Sequence, residues 1–338
     1  MNVLHILCDL SGGGAERLVL DLCRYSIFNA TVATVHAGGA LSDEFQRAGV
    51  EVRCAQRVRG RPGGRAVGRL ARWAATADVV HTHLWAGDFW GRPSALLAGG
   101  RPVVTTEHNT RSDSPLRRRI WTAMAPLSKK IVCVSQAASQ IVQAAGVPAS
   151  RLAVIENGID LARFSPTHRS GQGRILAVGR LTRQKGFDVL LDALWHHPAE
   201  TTILGEGEDR GLLERRAAGL PVSLPGWSPD IRPHLAEADV LVIPSRWEGF
   251  GLIAVEAMAS GVAVIASRVD GLVEVVGDAG ILVPPEDSVA LADAIRRVLS
   301  DRALRESLRQ RGLARSARFS IQRTVARYEA LYRELCER

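Results

Sequence analysis

The chain has 338 residues, 46% apolar and 23% charged, with a net charge of +8. That length fits two domains of ordinary size, and the composition excludes a disordered chain, a collagen and a small disulfide scaffold. The five scattered cysteines form no Cys-x-x-Cys pair, the amino-terminal apolar run stops at Asp9, and no stretch reaches the ~18–20 apolar residues of a membrane span, so the expectation is a soluble, cytoplasmic protein of a reducing compartment.

In chain order, strands are predicted at 3–7, 30–35, 79–81, 102–106, 131–134 and 152–155. Helices fall between them at 15–24, 41–48, 67–75 and 136–145, the last with Ser135 as N-cap. The stretch 165–173 is small, polar and rich in turn residues, as a linker would be. The rhythm then restarts, with strands at 175–178, 201–204, 240–243, 262–266 and 281–283 and helices at 187–195, 212–218, 252–260 and 289–299. A final helix at 321–336 follows Ser320. Apolar strands alternating with helices specify parallel sheets covered on both faces, and the restart specifies two of them. The predicted organisation is a first domain at 1–165, a second at 166–318, and a helix at 319–338 packing back on the first. Doubly wound sheets bind ligands beyond the carboxyl ends of their strands, here expected to face each other across a cleft.

Charge is divided unevenly. Residues 1–165 hold 20 basic and 12 acidic side chains, whereas residues 166–338 hold 23 of each. Arg53, Arg57, Arg59, Arg61, Arg65, Arg69 and Arg72 form one cluster without an acid, and Arg111, Arg117, Arg118 and Arg119 a second. Trp73 and Trp121 lie within or beside them. Such a half suits an anionic membrane surface or a phosphorylated acceptor. It equally suits a solvated face, since arginine is this chain's default cation: forty stand against three lysines. No nucleic-acid-binding motif accompanies the charge, so no nucleic-acid partner is expected.

Four groups of residues stand at predicted strand ends. Ser11-Gly12-Gly13-Gly14-Ala15-Glu16 could bring backbone amides to a phosphate, but it lacks the third glycine of a dinucleotide fingerprint and equally suits a tight turn. Gly179-Arg180-Leu181-Thr182-Arg183-Gln184-Lys185-Gly186 places two cations at a helix start, which is electrostatically awkward unless an anion such as a diphosphate lies between them. Ser245-Arg246-Trp247-Glu248-Gly249-Phe250-Gly251-Leu252, followed by Glu256, offers two carboxylates for hydroxyl groups and the amides of 250–252 for a phosphate. Glu256 falls in an apolar helix, where an unpaired carboxylate would be costly. His81, His83 and His108 could bind a metal, move protons or orient hydroxyls, or be structural. With no Asp-x-Asp pair and no His-Glu-x-x-His, no metal is expected.

Together these residues resemble the retaining GT-B glycosyltransferases of family 4, the group 1 glycosyltransferases. The likeness runs along the whole chain. It is carried most specifically by Glu248-x7-Glu256, and supported by Gly13-Gly14-Ala15-Glu16, Gly179-Arg180-Leu181 with Lys185-Gly186, Asn157-Gly158-Ile159-Asp160, Gly205-Glu206-Gly207 and Gly271-x2-Glu274. Ala263 departs from it, standing where the family usually has proline.

The resemblance implies two Rossmann-like domains, the first for acceptor and the second for donor. It implies transfer from a nucleotide-sugar, UDP- or GDP-linked, to a glycan, lipid-linked or small-molecule hydroxyl in cell-surface polysaccharide or glycoconjugate synthesis, with no cofactor. Arg180 and Lys185 would hold the diphosphate, Glu248 the sugar hydroxyls, and Glu256 the ribose. Amides of Phe250, Gly251 and Leu252 would meet sugar and phosphate, Gly13 and Gly14 the donor, and the loop at Gly205 the base. His108 matches the active-site histidine. His81, His83 and Arg111 are acceptor-side candidates. The competing readings are a nucleotide-sugar epimerase on the same architecture, a basic nucleic-acid-binding protein and a dinucleotide oxidoreductase.

Overall fold

The computed structural model describes residues 1–56, 63–111, 114–166 and 171–337. They form two compact units, Met1–Gly158 with Ile321–Arg338, and Ile159–Ser320. The first unit contains strands β1 Asn2–Leu7, β2 Asn29–His36, β3 Glu51–Gln56, β4 Val79–His83, β5 Val103–Glu107, β6 Lys130–Cys133 and β7 Leu152–Val154. Between them run helices α1 Gly14–Tyr25, α2 Ser42–Arg47, α3 Gly64–Ala74, α4 Leu84–Leu97, α5 Pro115–Ala123 and α6 Gln136–Ala144. The second unit contains β8 Ile175–Val178, β9 Thr201–Leu204, β10 Val222–Gly226, β11 Val240–Ile243, β12 Ala263–Ser267 and β13 Ile281–Val283. Its helices are α7 Phe187–His196, α8 Arg210–Ala217, α9 Arg232–Glu237, α10 Leu252–Ala259, α11 Asp270–Val276, α12 Ser288–Ser300 and α13 Arg302–Ser316. The last helix, α14 Ile321–Cys336, belongs to the first unit.

Both sheets are parallel and doubly wound, ordered β3-β2-β1-β4-β5-β6-β7 and β10-β9-β8-β11-β12-β13. The strands that composition missed, β3 and β10, are each the outermost of their sheet. Only one side of such a strand needs a hydrogen-bonding partner, so the polar β3 and the Pro225-Gly226 end of β10 are tolerated there. Helix α4 was hidden by Gly87, Gly91 and Pro93. Its glycines let it lie against the sheet. A Cβ at Gly87 would collide with the Ile6 carbonyl, and one at Gly91 would approach Thr82 Cγ2 to 2.7 Å.

The division falls after Gly158, where composition had placed it after residue 165. Ile159 donates its N–H to the Phe319 carbonyl at 2.9 Å and pairs with Ser320, which ties 159–166 to the second unit. Residues 167–170 of the predicted linker lie outside the described residues. Gly171 to Arg174 are anchored by Asp239, whose buried carboxylate accepts four successive backbone N–H groups at 2.7–3.2 Å.

A polar seam crosses the apolar core of the first unit. Parallel register sets His5 beside His81 and His83 beside Thr106. Helix α14 covers this face with Val325, Tyr328, Leu331 and Tyr332. His81 bonds Tyr332 Oη through Nδ1 at 2.6 Å and Thr106 Oγ1 through Nε2 at 2.7 Å. Burial pushes the imidazolium form of His5 down to about 3 and that of His81 well below the ordinary value.

Two expectations follow. Gly87→Ala should cost about 1–3 kcal/mol, read as a lower urea midpoint at unchanged slope. Below pH 6.5 the unfolded chain takes up protons that the buried histidines refuse. Each such histidine should therefore lower stability by about 1.4 kcal/mol per pH unit, for His5 until about pH 3. Urea midpoints of wild type and His5→Phe between pH 7.5 and 5 should show the smaller loss in the variant.

Candidate functional site

In the second unit the chemistry collects at the carboxyl ends of β8, β9 and β11. Beyond β8, Gly179 and Arg180 lead into a short 3-10 turn, Arg183–Lys185, and then α7. Gly186 starts that helix at φ +65°, and a Cβ there would collide with the Pro244 carbonyl, so only glycine lets the loops after β8 and β11 close up. Arg180 is exposed and its guanidinium has no hydrogen-bond partner among the described residues. Lys185 pairs with Glu248 at 2.5 Å, with the two side chains 20% and 13% exposed. Ser245 Oγ also reaches Glu248, at 3.4 Å.

Gly251 caps α10 at φ +91° and supplies no side-chain acceptor, so the first amides of α10 keep their donors for a ligand. The side chain of Phe250 is buried edge-on against Phe319, leaving only its backbone for a ligand. Gly205, after β9, is held by its N–H on the Gly226 carbonyl at 2.9 Å. Glu256 is half-buried and so less enclosed than its apolar helix suggested.

Sequence reasoning missed what holds these loops together. Arg246 grips Asp188 with two bonds of 2.8 Å, the Arg183 carbonyl at 2.8 Å and Glu286 at 2.7 Å. Burial alone would raise the Asp188 carboxyl, but the bonds from Arg246 outweigh it and hold the group below its usual range. Gln184 adds a bond from Nε2 to the Trp247 carbonyl at 3.1 Å, and its own carbonyl accepts the Arg246 N–H at 2.8 Å.

In the first unit, Gly12 takes φ +98° and Gly13 caps α1 without a side-chain bond. Gly13 sits against Glu16, whose carboxylate would stand 2.7 Å from any added Cβ. His108 lies just beyond β5, and burial pushes its imidazolium form down to about 4. Its Nε2 bonds His83 Nδ1 at 3.2 Å, and His83 Nε2 bonds His5 Nδ1 at 3.1 Å. Glu107, beside it, has its carboxyl pushed up to about 7 by desolvation, with Asp88 adding to the shift. No motif marks Glu107 or His5; Glu107 ends β5, which was its only signal, and His5 lies inside β1 with none.

Three expectations are corrected here. His81 and His83 are fully buried and bonded inside the core, so they offer no surface to an acceptor. The tryptophans of the basic clusters turn toward the core: Trp121 is 8% exposed and donates Nε1–H to Asp88 at 2.7 Å, and Trp73, on α3, is partly buried against it. Part of the basic surface is structural, with Arg69 bonded to the Ala55 carbonyl and Arg118 to the Ile141 carbonyl. Arg65, Arg72, Arg111, Arg117 and Arg119 are exposed, while Arg57, Arg59 and Arg61 lie outside the described residues. Among the described residues no helix is long and apolar enough to cross a membrane.

Comparison with known proteins finds a separate family match on each half of the chain. The Glycosyltransferase Family 4 model matches residues 12–163, and the model for Glycosyl transferases group 1 matches residues 172–301. A D-inositol 3-phosphate glycosyltransferase of Geodermatophilus obscurus is 33% identical, over 77% of this chain and 67% of that protein. A glycogen synthase of Mycobacterium tuberculosis is 33% identical, over 67% of this chain and 61% of that protein. The chain thus spans about two thirds of the length of these relatives. In fold, it matches Anabaena HepE in complex with UDP-glucose at a TM-score of 0.88, with 24% identity over 98% of this chain and 99% of that one. The sucrose-phosphate synthase of Thermosynechococcus elongatus gives 0.83, with 23% identity over 99% of both. These likenesses are to GT-B structures. The relatives above 30% identity and the two adjoining family matches place this chain in the group 1 glycosyltransferases of family 4.

Proposed function

We propose that the chain transfers a glycosyl group from a nucleotide-sugar to a hydroxyl of a glycan, lipid-linked or small-molecule acceptor, with retention of configuration and without a metal ion. The observation that carries the reading is the donor set at the carboxyl ends of β8 and β11: Arg180 without a partner, Lys185, and the uncapped amides of α10. A diphosphate satisfies all three. As the glycosyl bond breaks, negative charge grows on that diphosphate, and fixed donors stabilise it without reorganising. A UDP-sugar is the favoured donor, since HepE of the same fold was solved with UDP-glucose.

In the free protein Lys185 and Glu248 satisfy each other. A bound donor exchanges that pair, taking Lys185 with phosphate and Glu248 with sugar hydroxyls. Glu256 is assigned to the ribose and His108 to a hydroxyl of the donor sugar. We assign the retention to front-side substitution, in which the acceptor hydroxyl enters on the face from which the diphosphate leaves. Product NMR should show the donor's anomeric configuration, and an inverted product would overturn this step.

Arg65 and Arg72 are exposed at i and i+7 of α3, with Arg69 between them on the same face bonded to the Ala55 carbonyl, and the helix holds no acid. Leu116, 66% exposed, stands among the arginines of α5. We assign the α3 face to an anionic bilayer that presents the acceptor. Sedimentation should find the protein with anionic but not neutral liposomes, less so for the double variant Arg65→Glu, Arg72→Glu. Equal binding to both lipids, or none, retires the assignment.

The donor site is tested by thermal shift with UDP, GDP, ADP and TDP in EDTA. A nucleotide at 100 times its dissociation constant should stabilise by about 2.7 kcal/mol, and Lys185→Ala should lose the shift. Glu248→Gln frees Lys185, so nucleotide binding should persist or tighten while transfer falls by roughly 10²–10³. No shift from any nucleotide would refute the donor site.

A further inference from the structure

The two bonds His5–His83 and His83–His108 join three imidazoles in series, from the interior of β1 to the residue beyond β5. Burial keeps all three neutral near pH 7, with His83 far below its ordinary value and His108 at about 4. A neutral imidazole carries one N–H and one lone pair. Two bonds among three such rings can therefore be made in only two ways. Either every ring donates inward, so that His108 donates from Nε2 and keeps a bare Nδ1, or every ring donates outward and His108 Nδ1 carries the proton.

The inner end selects between them. His5 lines a cavity of about 10 Å³, close to the volume one water needs, together with Ser26 and Glu329. Glu329 is 8% exposed; its Oε1 accepts bonds from Ser26 Oγ at 2.9 Å and the Ile27 N–H at 2.8 Å, and Arg333 stands 3.7 Å from its Oε2, so a carboxylate whose negative charge is only partly offset lies beside the cavity. An N–H on His5 Nε2 is favoured by that charge and a bare lone pair is not. The neighbouring polar groups, His81, Thr106, Tyr328 and Tyr332, are neutral and engaged with one another. His108 Nδ1 has no partner among the described residues.

We propose that His83 and His5 are positioning residues that hold His108 in its Nε2–H tautomer, so that the Nδ1 lone pair is presented as an acceptor to a hydroxyl of the bound sugar. The choice of hydroxyl partner rests on the transferase reading; the tautomer does not. A sugar hydroxyl then donates to Nδ1 and keeps its own oxygen lone pairs for other donors. An analogue whose hydroxyl is replaced by fluorine or hydrogen cannot make that bond.

The test is long-range 1H–15N correlation on the full chain with 15N-labelled histidine at pH 7. His108 should show a pyrrole-type Nε2 and a pyridine-type Nδ1. His5→Phe removes the inner end without touching His108, and should turn its signals into a tautomer average. His83→Asn keeps a polar group near His108 but cannot reach His5, and should do the same. If the wild type transfers sugar, both variants should lose about tenfold or more in kcat, with donor KM changed less than about twofold. A His108 tautomer unaltered in both variants overturns the proposal. So does joint movement of the His5, His81 and His83 signals on adding Zn²⁺ alone, which would make the cluster a metal site. Tautomer coupling in a chain without transferase activity would uphold the relay and refute the transferase reading.

Discussion

One guanidinium fixes the geometry on which the donor side depends. Arg246 leaves the carboxyl end of β11 and bonds three separated segments: the turn before α7, the first turn of α7 itself, and the stretch before α12. Its bidentate grip on Asp188 is the kind of planar fork that a lysine ammonium cannot reproduce. In the second unit, the groups assigned to the phosphates are hung from the loops it joins. Arg180 and Lys185 stand on one, and Glu248 with the uncapped start of α10 on the other. A phosphate-binding set is useful only if its donors are already in place when charge develops, so a residue with no contact to ligand sets how well those that do contact it can work.

The same logic explains the Lys185–Glu248 pair. Two charged side chains held 2.5 Å apart and largely covered would be a doubtful source of stability, because desolvation offsets much of their attraction. The pair is better understood as mutual storage. Each group waits in place with its charge satisfied, and each has a second partner of matching chemistry in a nucleotide-sugar. Arg180, exposed and without a side-chain partner among the described residues, needs no such exchange and can meet an approaching anion first.

What was legible in the sequence follows from what leaves a local trace. The interior strands were readable because burial on both faces demands continuous apolar runs, as in Val240–Ile243. The edge strands β3 and β10 escaped because an edge demands much less. Helix α4 escaped because Gly87 and Gly91 answer to the sheet beneath it and not to helix propensity. The donor loops announced themselves through glycines and charges crowded into short spacings. Arg246 and Asp188 lie 58 residues apart, and no spacing rule joins them. The basic clusters looked alike as strings, yet Trp121 and Arg118 turned inward while Arg65 and Arg72 stayed outside. Only packing could separate them.

His5 is the extreme case of that difficulty. Alone in Val3-Leu4-His5-Ile6-Leu7 it reads as an imperfection in a buried strand. Its meaning comes from register: β1 and β4 run parallel with His5 opposite His81, which sets His83 two residues on toward the same strand ends as His108. A buried imidazole costs desolvation energy, and burying four in one unit tilts stability toward neutral pH and away from acid. A core of valine would avoid that cost. What the histidines supply instead is directionality, since a row of neutral rings can only be bonded all one way or all the other, and the choice made beside Glu329 is carried to the ring at the end of β5.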